Sequence, residues 1–287
     1  MNLPLTAEYV YIKGDENNIG RHDDVNIQGF NISSKLEAMS SEVETYYLNK
    51  RDKTDADADP EKGRVNTLGL RGSTQPVEGS YLYSELAYQW GSLGADLEGV
   101  LDNGGGQSAW AANLGGDYTF TQVTTSPKVG AEWRFYSGKY LSDVGAVIGW
   151  DPIAPGYFTT AIREFQTRST VAGFYAVDQT GVTSSQTNQH ELALYGGFKP
   201  LEDLSANTRL AWFLLDEKAL QPQNSPREGF LGTEWDTQVL YDYTEDVQFG
   251  LIYGIFFPGT VYRAASNGTT NGDNTAQALI TSVSVKF

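Results

Sequence analysis

The sequence predicts an all-β protein: a transmembrane, antiparallel, up-and-down β-barrel of about twelve strands. Three observations carry this. Long segments alternate apolar and polar residues with a period of two, as strands do when one face meets lipid and the other meets water. The connections between them alternate between short and long, the rule for barrels with tight periplasmic turns and extended external loops. Finally, the chain holds 17 Tyr and 6 Trp, residue types that gather at membrane interfaces. No run of about 18 apolar residues is present to form a transmembrane helix.

Taken in order, the strands are expected at 4–13, 25–37, 41–51, 64–74, 80–91, 107–121, 126–137, 188–199, 204–216, 230–243, 247–257 and 275–287. The weak points are the second strand, whose alternation is broken, and the region 138–187, long for a loop. From the third onward one face collects the charged and amide side chains: Glu42, Glu44 and Lys50, then Arg71, then Glu85 and Gln89, then Asn113 and Asp117, then Glu132 and Arg134. The eighth and ninth add Glu191, Lys199 and Arg209. In the tenth, Leu231, Thr233, Trp235, Thr237, Val239, Tyr241 and Tyr243 alternate with Gly232, Glu234, Asp236, Gln238, Leu240 and Asp242. The last two alternate just as clearly, and the chain ends on Phe287. Sandwich strands average about five or six residues, and these are about twice as long, so a membrane crossing is the better account.

Short links are expected at 38–40, 75–79, 122–125, 200–203 and 244–246, and long ones at 14–24, 52–63, 92–106, 138–187, 217–229 and 258–274. An even count returns both termini to the periplasm. The stretch 166–178 can supply two more strands, giving fourteen as the alternative. No fixed repeat appears, so residues 1–287 are read as a single domain. No signal peptide is visible at Met1-Asn2-Leu3-Pro4, so the sequence is expected to be a mature or recombinant form.

Composition narrows the function. The net charge of −16 argues against a nucleic-acid partner, because phosphate binding needs a basic face. The absence of cysteine removes disulfides and thiolate metal sites. His22 and His190 are the only histidines and are not spaced as metal ligands, so neither metal nor cofactor is expected. His190 near Ser184 or Ser185 lacks any nucleophile motif, and an enzyme is not expected. Asp55, Asp57 and Asp59 alternate, but the loop lacks the glycine and terminal glutamate of a calcium loop, so a solvated acidic loop is the preferred reading. Gly104-Gly105-Gly106 precedes no helix and is no phosphate cradle.

Several passages resemble the alginate-export family of outer-membrane porins. They are Thr67-Leu68-Gly69-Leu70-Arg71, Ser84-Glu85-Leu86-Ala87-Tyr88-Gln89-Trp90-Gly91, Ala109-Trp110-Ala111, Gly116-Asp117-Tyr118-Thr119-Phe120 and Tyr136-Ser137-Gly138. Asp151-Pro152, Lys199-Pro200, Gly232-Thr233-Glu234-Trp235-Asp236 and Phe256-Phe257-Pro258-Gly259 continue the set in order. The resemblance runs over roughly residues 64–287, in a chain shorter and more acidic than typical members. It implies a pore or exporter for anionic polysaccharide or small acidic solutes.

The inward faces give the pore-lining candidates: Arg71, Glu85, Gln89, Asp117, Glu132, Arg134, Arg209, Glu234, Asp236 and Gln238. Arg71, Arg134 and Arg209 are read as a ladder of cations that meets passing carboxylates, because guanidinium offers several donors in a fixed fork. The rival reading is a salt-bridge network that fills a narrow barrel, since barrels of about eight strands are packed and those of 16–18 are open. Tyr46, Tyr83 and Tyr136 project inward as candidates for solute contact. Trp90, Trp110, Trp133, Trp212 and Trp235 fall on outer faces as a girdle, with Trp150 in the long loop. Within 138–187, Arg163, Glu164 and Arg168 are candidates for a constriction, if that loop folds inward rather than forming an outer lid. The expected setting is the outer membrane of a Gram-negative bacterium, as a monomer. Expected partners are outer-membrane lipid and lipopolysaccharide, a polar or anionic solute, and the barrel-assembly machinery through Phe287.

Overall fold

The computed structural model describes residues 4–15, 25–37, 40–52, 63–92, 106–141, 146–153, 159–163, 187–218, 228–261 and 274–286. Among these residues fourteen strands are formed: β1 (Leu5–Asp15), β2 (Val25–Leu36), β3 (Ser41–Asp52), β4 (Arg64–Thr74), β5 (Ser80–Ser92), β6 (Gly106–Thr119), β7 (Lys128–Tyr136), β8 (Gly138–Leu141), β9 (Ala146–Gly149), β10 (Gln189–Leu201), β11 (Leu204–Leu215), β12 (Phe230–Asp242), β13 (Val247–Pro258) and β14 (Ala276–Val285). Twelve of them make one antiparallel sheet in chain order, β1 to β7 and then β10 to β14. The fold is that of an up-and-down transmembrane β-barrel, with β1 and β14 at the two ends of the strand order. Among the described residues no helix is long and apolar enough to cross a membrane, and the crossing is made by strands.

The count of twelve crossing strands stands. The second strand, irregular by its sequence, runs unbroken from Val25 to Leu36 because it is paired on both edges, with β1 and β3. The sequence reading missed β8 and β9. These short strands pair only with each other, as a hairpin that continues β7 beyond the sheet. The stretch 166–178, the source of the fourteen-stranded alternative, lies outside the described residues, as do Glu164, Arg168 and Phe287.

Alternation sets the two faces. Leu68, Leu70, Leu86, Trp110, Leu114, Leu192, Leu194, Trp235, Leu251, Tyr253, Leu279 and Val283 stand exposed on the outside. In water such a belt would be costly at about 25 cal/mol per Å² of apolar area; against lipid tails it is the matched surface. The inside is polar and buried, including Gln89, Arg134, Glu191, Glu234 and Asp236. The short turns use left-handed positions at Ser40, Gly79 and Ser126. At Gly79 (φ 82°) a side chain would also strike the Thr119 carbonyl, so only glycine fits.

Candidate functional site

The interior is organised in three parts. The first is a segment that leaves the β8–β9 hairpin and turns into the barrel. Trp150 packs against Ala87, Ala109 and Ala111 on the inner wall of β5 and β6. Gln89 then treats the next residue as a strand treats its neighbour: its amide nitrogen donates to the Asp151 carbonyl at 2.7 Å, and its amide oxygen accepts from the Asp151 N–H at 2.9 Å. Gln107 donates to the Gly149 carbonyl at 3.0 Å and to Gln89 at 2.9 Å. Lys50, from β3, closes an ion pair with the Asp151 carboxylate at 2.9 Å.

The same segment is held again on the far wall. The carboxylate of Glu234 on β12 accepts from the Ile162 N–H at 2.6 Å and the Arg163 N–H at 2.8 Å. Asp236 accepts from the Ala161 N–H at 3.2 Å. Arg163 donates to Gln189 at 2.9 Å. Ala161 and Ile162 join Ala193, Ala211, Phe213, Leu231 and Phe256 in a compact apolar cluster. Asp151 is therefore held on the β3–β5–β6 wall, and Ala161, Ile162 and Arg163 on the β10–β12 wall. Side-chain amides and carboxylates hold both, satisfying backbone groups that would otherwise be buried unpaired.

The second part is a charge cluster at mid-height on β7, β10 and β11. Arg209 donates to both Glu132 (2.7 Å) and Glu191 (2.6 Å). Arg134 pairs with Glu132 at 3.1 Å and Glu191 at 3.4 Å. Each arginine touches both carboxylates, so two cations and two anions cancel within a buried square.

The third part is a set of inward tyrosines that lie over glycines. Tyr46 on β3 faces Gly69 on β4, Tyr83 on β5 faces Gly115 on β6, and Tyr195 on β10 faces Gly130 on β7. A side chain at any of these glycines would collide with the ring. Each phenol then reaches one strand further: Tyr46 to Glu85 at 2.5 Å, Tyr83 to Glu132 at 2.9 Å and Tyr195 to Asp117 at 3.3 Å.

The candidates from sequence are thus distributed as follows. Glu132, Arg134 and Arg209 come together in the square; Glu234 and Asp236 bind the inward segment along with Arg163; Gln89 binds it on the opposite side. Glu85 and Asp117 anchor tyrosines, and Asp117 also pairs with Lys128 at 3.0 Å. Gln238 faces inward, half-buried, on β12. Arg71 stands apart, paired loosely with Glu44 at 3.5 Å and 54% exposed. Of the three inward tyrosines expected, Tyr136 packs against the Trp150 cluster. Sequence reasoning missed Gln107, Gln189 and Tyr195, although each lies on the inward parity of its strand. It also missed Trp150 and Asp151 as interior residues, for which a loop carries no periodic signal. Among the described residues no cluster of His, Cys, Asp and Glu is arranged to hold a metal.

Comparison with known proteins gives three findings. No curated protein matches the chain. Among solved structures, a NanC porin from a rhombohedral crystal form is similar over 100% of both chains at 11% identity, with a TM-score of 0.38. Residues 28–275 match the sequence profile of the family described as Alginate export. That match spans most of the barrel and the whole interior just described, and the chain belongs to the alginate-export family of outer-membrane pores and exporters.

Proposed function

We propose that the chain is a passive pore for polar, anionic solutes of polyuronate or acidic-sugar type. They would diffuse through a charge-lined lumen that the inward segment narrows. The observation that carries this reading is the double attachment of that segment, by Gln89, Gln107 and Lys50 on one wall and by Glu234, Asp236 and Gln189 on the other. A solute must pass beside it and then meet the square of Glu132, Arg134, Glu191 and Arg209. Arg71, half-exposed beside Glu44, is a lumen cation with room to bind a carboxylate, and its fork suits the task. Solutes pass by successive weak contacts, without covalent chemistry.

The burial of Gln89, Glu191 and Glu234 favours a second reading: a plugged barrel that acts through its external loops. Single-channel conductance of the refolded protein in a planar bilayer separates the two. An open pore gives stable steps that grow when Glu234→Ala removes the acceptor of two backbone N–H groups. A plugged barrel gives no steps in the parent protein and steps only in the variant.

A further inference from the structure

We infer that the outer surface of β2–β4, at the end bearing the long loops, is a binding site for a phosphate group of an outer-leaflet lipid of lipid A type. The inference rests on the outer-membrane reading and goes beyond it by assigning a site. Outward-facing residues fall into register rows across β1–β6. One row reads Tyr9, Phe30, Tyr47, Leu68, Tyr88 and Trp110, aromatic at five of six positions. One two-residue step nearer the loops, about 7 Å along the strands, the row reads Tyr11, Gln28, Asn49, Asn66, Trp90 and Ser108. One step further it reads Lys13, Asn26, Arg51, Arg64, Ser92 and Gly106. Polarity thus rises from aromatic to amide to cationic over two steps, the order in which a strand leaves hydrocarbon and enters the headgroup layer.

The cations are the telling part. Among the described strands, the outward positions hold three of them, Lys13, Arg51 and Arg64, all in this row. In a chain of net charge −16, whose loops at this end are acidic by sequence, the outward strand positions hold these cations and no carboxylate. Arg51 and Arg64 are direct cross-strand partners, and both are exposed. Like charges placed opposite each other in a sheet repel, and among the described residues neither arginine pairs with a carboxylate. A shared anion resolves this, and a phosphate accepts from two guanidinium forks at once. The floor beneath is organised: Arg51 donates to Asn49 at 3.1 Å, Asn49 to Asn66 at 2.9 Å, and Tyr47 to the same Asn66 oxygen at 2.8 Å. Among the described residues, the loop-end outer positions of β7 and β10 to β13 instead hold Phe135, His190, Leu214, Phe230 and Phe257.

The test uses the full chain in neutral detergent, with bisphosphorylated lipid A as probe and native mass spectrometry counting retained lipid. The parent protein is expected to retain lipid A and to lose it when the probe's phosphates are removed. R51A/R64A is expected to retain about tenfold less or lower, with unchanged heat-modifiable migration, and R51K/R64K to keep most of the binding. Equal retention by parent and R51A/R64A overturns the inference. So does displacement by millimolar inorganic phosphate, which would make the site one for free phosphate. Protein that fails to insert into bilayers brings down the membrane reading itself. Protein that inserts normally but retains lipid A regardless of the two arginines brings down this inference alone.

Discussion

Three arginines that look alike in the sequence have different surroundings. Arg134 and Arg209 are consumed by Glu132 and Glu191, with side chains 5% and 12% exposed, whereas Arg71 is 54% exposed beside Glu44. A buried ion pair gains little over an apolar substitute, but removing one partner leaves an uncompensated charge and costs about 3–5 kcal/mol. Arg209→Ala is therefore expected to destabilise the folded barrel by roughly that amount, read as a shift in the urea midpoint in lipid vesicles. Adding Glu191→Ala should recover part of the loss, a non-additivity typical of residues in one network. Arg71→Ala should leave the midpoint within about 0.5 kcal/mol. If Arg71 serves passing anions, that variant instead lowers the anion-to-cation permeability ratio, measured as the reversal potential in a salt gradient. An unchanged ratio would remove Arg71 from the proposed mechanism.

The strands were legible because alternation is enforced along each of them: lipid rejects charge on one face at about 2–4 kcal/mol for Arg or Lys at the midplane, and the other face is free to be polar. Hence Glu85, Asp117, Glu132 and Glu234 could be assigned to the inside from parity alone. What parity cannot give is the partner. Nothing in the spacing of Glu132, Glu191 and Arg209 announces that they meet, because the contact depends on register between strands far apart in sequence. The inward segment was less legible still. Trp150 and Asp151 sit in a loop with no period, and their positions are decided by Gln89 and Lys50, at a separation of 62 and 101 residues. The tyrosine–glycine pairs show the same coupling at the level of the sheet. Glycine is a weak strand residue, yet Gly69 lets the Tyr46 ring lie flat and deliver its hydroxyl to Glu85. Gly69→Ala should push the ring off the wall and cost about 1–3 kcal/mol, as overpacking does. Tyr46→Phe, which keeps the ring, should cost nearer 1 kcal/mol, the worth of one hydrogen bond. A glycine replacement milder than the phenol removal would show that ring placement matters less than the bond.

At the scale of the whole molecule the decisive surface is the seam. Within the twelve-stranded sheet every strand but the first and last has two partners, while β1 and β14 each have one among the described residues. A sheet edge facing hydrocarbon leaves its N–H and C=O groups unpaired at several kcal/mol each, so a spanning sheet has to close on itself. With an even number of crossings, closure would set β1 and β14 side by side and antiparallel, with Leu5 and Val285 at the same end as the short turns. The outward face of β1 includes Tyr9, and that of β14 includes Leu279, Thr281 and Val283. The chain has no cysteine, so engineered pairs report this contact without background. Tyr9→Cys combined in turn with Leu279→Cys, Thr281→Cys and Val283→Cys scans the register in two-residue steps, about 7 Å each. A disulfide needs its Cα atoms within about 7 Å, so one combination should cross-link efficiently on mild oxidation and its neighbours poorly. Cross-linking should appear only after the protein has folded into lipid, since the loop it closes spans nearly the whole chain. Equal, weak cross-linking by all three pairs in folded protein would mean that β1 and β14 do not share a ladder, and the barrel would have to be completed by another strand or by a second copy of the chain.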